Sequence, residues 1–189
     1  MSQRLPQGAL HQFVALDMPG AVTRFLDHWK PDAGLFVESD LWPNLVLTAQ
    51  ARGVKRQFVF GHKMAYTYHY DDKTKPKGFD VFPENQATFW ALMEKHQATF
   101  FCGHEHIYHA MQPTAKTGGR AWQVIVGAGG SPFEAKPGES ANPNDRQYSW
   151  AMVRVHRSSR VTMEAFGFDE HYGPTHILER IELNGRATP

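Results

Sequence analysis

Apolar positions in the first third of the chain recur at the spacing of an α/β protein. Val22, Phe25, Leu26 and Trp29 fall on one helical face, and Pro31 closes that helix. Gly34 to Ser39 is a short apolar run of the kind that forms a strand buried on both faces. Trp42-Pro43-Asn44 opens a second helix, with proline in its first turn, and Gly53 ends it. Gln57 to Phe60 is the next strand and runs directly into Gly61-His62. A strand, helix and strand of these lengths predict a right-handed crossover between parallel strands. Residues 64–82 read as a long loop, Pro83 to Lys95 as a helix, and Thr99 to Cys102 as a strand ending in Gly103-His104-Glu105-His106. From Trp122 onward the pattern changes. Trp122 to Val126, Tyr148 to Val155, Val161 to Phe166 and Ile177 to Leu183 read as antiparallel strands joined by Gly, Pro and Asn turns. The expected class is α/β, a short parallel βαβ part followed by antiparallel strands, in a single domain over 1–189.

Composition narrows the chemistry. The 189 residues suffice for one full core. With 20 Lys plus Arg against 19 Asp plus Glu, the net charge of +1 gives no electrostatic case for nucleic acid or an anionic membrane surface. One cysteine, Cys102, excludes an internal disulfide and a Cys-rich metal site. The apolar runs are far shorter than the roughly 20 residues that cross a bilayer, and Met1 to Gly20 has no signal-peptide pattern. A soluble, cytoplasmic protein is the default expectation.

The 11 histidines are the distinctive feature. His62, His104 and His106 each follow a short apolar strand. Parallel strands bring their C-terminal ends to one edge, so these imidazoles are expected to converge as ligands of a divalent transition metal. Mn²⁺, Zn²⁺ or Fe suits mixed His and carboxylate donors. Glu38 ends the preceding strand and reads equally as a further ligand or as a helix cap. His69, Asp71 and Asp72 read as ligands, as a general acid, or as solvated loop residues, the last being favoured. His69 is the best of them for protonating a leaving group. Lys73, Lys75 and Lys77 read as a flexible basic loop that also suits an anion, and Tyr66, Tyr68 and Tyr70 as the lining of a pocket or interface. Glu105 is expected to point away from the metal, and His109 to be either near the cluster or ordinary packing.

Two resemblances follow from these motifs. Val59-Phe60-Gly61-His62-Lys63, the helix around Phe89-Trp90-Ala91-Leu92, Phe101 to His106, and Ile125-Val126-Gly127-Ala128-Gly129-Gly130-Ser131-Pro132 resemble the C-terminal half of a calcineurin-like metallophosphoesterase, over about residues 55–189. That resemblance implies a truncated layered fold of that type, with His62, His104 and His106 as ligands of one or two metal ions. It implies hydrolysis of phosphate esters, preferentially phosphodiesters, by metal-activated water, or else an inactive metal-binding remnant. The family's earlier Asp-x-His, Gly-Asp and Gly-Asn-His motifs are missing, and a sheet shortened in this way predicts a homodimer. Residues 5–53 instead resemble an internal piece of the Kdo transferase of lipopolysaccharide synthesis. The match runs through Leu10-His11-Gln12, Asp17, Pro19 to Val22, Phe25 to Trp29, Pro31 and Val37 to Asn44, with Asp40 where that family usually has Glu. Without the sugar-nucleotide half of that family, this piece argues against a working glycosyltransferase. The chain thus reads as a fusion of two fragments joined near Gly53 to Lys55.

Overall fold

The computed structural model describes residues 6–37, 43–53, 56–68, 75–134, 136, 142–156, 158 and 160–184. Three helices and eight strands lie in these segments: α1 (Pro19–Trp29), β1 (Ala33–Val37), α2 (Pro43–Ala51), β2 (Arg56–Phe60), α3 (Pro83–His96), β3 (Thr99–Cys102), β4 (Tyr108–Met111), β5 (Trp122–Val126), β6 (Tyr148–Val155), β7 (Val161–Phe168) and β8 (His176–Glu182).

Each helix starts with proline in its first turn, where the missing N–H costs nothing. α1 stops at Lys30 and α3 at Gln97, both left-handed residues whose N–H groups close the last turn. α1 buries Val22 and Leu26 against Leu45 and Ala49 of α2. The Asp17 side chain ties the two helices together. Its carboxylate accepts from the Asn44 N–H at 3.2 Å and the Leu45 N–H at 2.9 Å, capping α2 from a distance in sequence.

The strands form two sheets. The larger runs β1-β2-β3-β5-β4, in which β1, β2, β3 and β5 are parallel and β4 is antiparallel to β5. Val37 pairs with Phe60 and Phe60 with Phe101, so the ends of the first three strands stand level. One face packs Val59, Phe100, Cys102 and Ile125 against Trp90 and Met93 of α3 and against Met64 and Ala65. The other packs Phe58, Phe101, Tyr108, Trp122 and Val124 against Val161, Met163 and Ala165 of the second sheet, β6-β7-β8. The architecture is therefore α/β, a mixed sheet between helices and an antiparallel sheet.

Two expectations need correction. β4 was not legible, because Tyr108-His109-Ala110-Met111 is short, lies at the sheet edge and buries only Tyr108 fully. Its insertion makes β5 a parallel neighbour of β3, where an antiparallel strand is expected from the sequence. Nothing in the layering is specific to a metallophosphoesterase.

Candidate functional site

The C-terminal ends of β2, β3 and β5 make one edge. The turns there interlock through backbone hydrogen bonds: Gly61 N–H to Phe101 O, Gly103 N–H to His62 O and Gly127 N–H to Ile107 O, each 3.0 Å. A Cβ on Gly127 would stand 1.9 Å from the Glu105 carbonyl oxygen, so glycine is required there. His104 adopts a left-handed φ of 67°, a strain of about 1 kcal/mol that the interlocked turns sustain.

This geometry brings His62 and His104 together. His104 Nδ1 lies 3.1 Å from His62 Nε2, and the ring centroids are 5.0 Å apart at 80°. Burial, then the positive charges of Lys63 and His62, hold the His104 imidazole below its ordinary pKa, which favours the neutral ring. His106 is held differently. Its Nδ1 faces the Pro132 carbonyl oxygen at 2.8 Å, and its backbone N–H donates to Glu134 Oε2 at 3.2 Å. Glu134 also pairs with Lys77. Among the described residues no group of three or more His, Cys, Asp or Glu side chains stands ready to hold a metal. Glu38, His69, Asp71, Asp72, Tyr70 and Lys73 lie outside the described residues.

The remaining candidates are structural in their contacts. Glu105 is fully buried and accepts from the Tyr68 N–H at 3.1 Å. Tyr68 stacks on His109 at 3.7 Å, and burial pushes the His109 pKa down to about 4. Tyr66 meets the Trp90 ring edge to face at 5.1 Å. Lys77 is engaged with Glu134 and is not the free basic loop residue expected.

Sequence reasoning missed the groups that hold the loop after β2. Gln123, fully buried on β5, accepts from the Ala65 and Tyr66 N–H groups at 2.8 and 2.9 Å and donates to Tyr66 O at 2.8 Å. Asp80 accepts from the Thr67 N–H and hydroxyl and from the Gly78 N–H. A glutamine inside an otherwise apolar strand, Trp122-Gln123-Val124-Ile125-Val126, was the available signal.

The site is thus a histidine-bearing edge of an α/β sheet, continuous with the α1–β1–α2 unit. Comparison with known proteins places that unit more closely. Residues 1–75 match the family model described as 3-deoxy-D-manno-octulosonic-acid transferase (kdotransferase). The chain is 53% identical over 49 residues to a probable mitochondrial 3-deoxy-D-manno-octulosonic acid transferase of Arabidopsis thaliana, covering 26% of this chain and 11% of that protein. It is 46% identical over 46 residues to the transferase of Rickettsia typhi, covering 24% and 10%. With that of Bordetella pertussis it shares 43% over 54 residues, covering 28% and 13%. The chain spans about a tenth of the length of these curated relatives. Its N-terminal region is Kdo-transferase-like.

These matches overturn the phosphoesterase reading. The family match runs through residue 75 and so takes in β2 and Gly61-His62, which the metallophosphoesterase resemblance had claimed. The relatives are transferases, so hydrolysis of phosphate esters, a phosphodiester substrate and the hydrolase class are withdrawn. The homodimer expected of a shortened phosphoesterase sheet loses its premise with them. No helix among the described residues is long and apolar enough to cross a membrane.

Proposed function

We propose that the chain takes part in glycosyl transfer, and that its N-terminal region, which resembles the transferases without their sugar-nucleotide half, contacts 3-deoxy-D-manno-octulosonic acid. The observation that carries this is the 53% identity over 49 residues with the Arabidopsis protein. The described part of the region folds as a βα unit with a defended geometry. Asp17 fixes α1 against α2, and β1 joins the sheet by parallel pairing with β2. In open α/β sheets, ligands bind beyond the carboxyl ends of the strands. In sequence Glu38 follows Val37 directly, so Glu38→Gln probes the end of that strand. The test is transfer of labelled sugar from its sugar-nucleotide form to a lipopolysaccharide-precursor acceptor. Transfer that falls at least tenfold in Glu38→Gln supports the reading. Absence of both transfer and donor binding overturns it.

A second reading rests on the 3.1 Å approach of His62 and His104. Two ring nitrogens this close share either a proton or a cation. The His106 Nδ1 contact with Pro132 O orients that ring as metal-ligating histidines are oriented, with Nε2 left for a ligand. We assign His62 and His104, with His106 as third donor, to a divalent transition metal (Mn²⁺, Zn²⁺ or Fe). Glu38 and His69 are the candidates to complete the set. The fit is partial, because the described residues bring only two of these donors into contact. Elemental analysis after dialysis checks it. About one equivalent of metal, lost in His104→Ala, is expected, and a metal-free protein contradicts it.

A further inference from the structure

We infer that the cleft between the turn after β2 and the start of α3 binds an organic carboxylate with an apolar body, its charged end at Lys63 and its body among phenylalanine rings. The cleft has a volume of about 390 Å³, within the range of small-molecule sites. Its apolar walls are Phe79, Val81, Phe82 and Phe89. Phe79 and Phe89 meet edge to face, with centroids 5.1 Å apart at 83°, and form a corner. Phe82 lines the same cleft with a side chain that is 64% exposed and packs on no other ring among the described residues. The backbone around these rings is held without a ligand. The Phe79 N–H donates to Met64 O at 2.9 Å and the Phe82 N–H to Phe79 O at 2.8 Å, while Asp80 accepts from the Thr67 and Gly78 N–H groups. A cleft formed in advance spares its ligand the cost of ordering it.

The polar groups select the charge. Among the described residues Lys63 is the one charged side chain lining the cleft, and no carboxylate accompanies it. Lys63 is exposed and makes no ion pair among the described residues. It directly follows His62, and its positive charge acts on the His104 imidazole, so the charged end of the cleft adjoins the paired histidines. Asn85 also lines the cleft and brings an amide that can donate to a carboxylate oxygen. One unpaired cation favours one negative charge on the ligand and disfavours a cationic one. A heavily hydroxylated body is excluded, because its hydroxyls would lose water against phenylalanine walls. What satisfies both ends is a carboxylate on an aromatic or alkyl body. The proposal uses neither Glu38 nor any sugar, so its failure would leave the glycosyl-transfer reading standing.

The experiment is an NMR titration of the full chain with 2-naphthoate and with octanoate, following the ring signals of Phe79, Phe82 and Phe89 and the side-chain amide of Asn85. The neutral 2-naphthalenemethanol, the cationic 2-naphthylmethylammonium and the hydroxylated carboxylate gluconate serve as comparators. Saturable shifts are expected from at least one of the two carboxylates, and 2-naphthoate should bind about fivefold more tightly than the alcohol. Lys63→Met should remove that preference and leave the alcohol's affinity unchanged. Phe82→Ala, at an exposed ring, should weaken the carboxylate and the alcohol alike by about tenfold. Four results would each overturn the proposal: no saturable shift from either carboxylate, a comparator bound as tightly as 2-naphthoate, a carboxylate preference that survives in Lys63→Met, or unchanged affinity in Phe82→Ala. If a variant fails to fold, the wild-type comparison of 2-naphthoate with the alcohol decides alone.

Discussion

Replacing Gln123 with methionine tests how the histidine-bearing edge is held. The side chains have similar volume, so the change removes hydrogen bonds and opens little space. Gln123 Oε1 accepts from two backbone N–H groups, those of Ala65 and Tyr66, and Nε2 satisfies Tyr66 O. Ala65 is fully buried, so its N–H gains no water in exchange. Each buried group left unsatisfied costs about 1–3 kcal/mol. Three such groups, one acceptor and two donors of which one is partly buried, bring the loss to about 4 kcal/mol. Domains of this size hold about 5–15 kcal/mol in all, so the variant should still fold. With a urea slope of about 2–3 kcal/mol per molar, the unfolding midpoint should fall by about 1.3–2 M. Hydrogen exchange at Ala65 and Tyr66 should accelerate before exchange in β6 and β7 does. A stability loss under about 1 kcal/mol, with unchanged exchange at Ala65, would refute the assignment.

Other outcomes follow from the same contacts. Burial pushes the Glu94 carboxyl upward, but hydrogen bonds from Thr114, Arg120, Ala121 and Trp90 outweigh it and hold the pKa below its usual value. Its stabilising contribution is therefore full at neutral pH and is lost as pH falls through the folded pKa. Glu94→Gln should flatten the acid side of the thermal stability profile. His109 is lowered from 6.5 to about 4 by burial, so the unfolded chain binds the extra proton first. Stability should fall as pH drops from about 6.5 toward 4, and His109→Leu should remove that slope, as calorimetry across the window would show. Asp17→Ala should cost about 1–2 kcal/mol as a lost helix cap. It should also raise exchange at Asn44 and Leu45, and unchanged exchange there would contradict the capping role.

The elements legible in the sequence are those whose signal is local. The spacing of Val22 and Leu26 marks α1, proline in the first turn marks α2 and α3, and short apolar runs mark β1, β2 and β3. What failed was non-local. The partner of a parallel strand is set by chain far away, so β5 was assigned to the wrong kind of neighbour, and the edge strand β4 carries no alternation to announce it. At the site, Gly61-His62 and Gly103-His104 marked a shared edge, and His62 does meet His104. The turn of His106 toward Pro132 and the support from Gln123 and Glu134 depend on side chains many residues away. The same physics explains the misassigned activity. A glycine followed by histidine at the end of an apolar strand suits any parallel strand entering a tight turn, whereas identity over 49 residues constrains a whole supersecondary unit.

The most direct test of the central claim is to titrate the isotope-labelled chain with 3-deoxy-D-manno-octulosonic acid and its sugar-nucleotide form, mapping the amide shifts. The account predicts saturable shifts concentrated in residues 1–75, the stretch that matches the transferase family, and weakened in Glu38→Gln. Saturation without any shift in that stretch, or no binding of either compound by the folded chain, would contradict it.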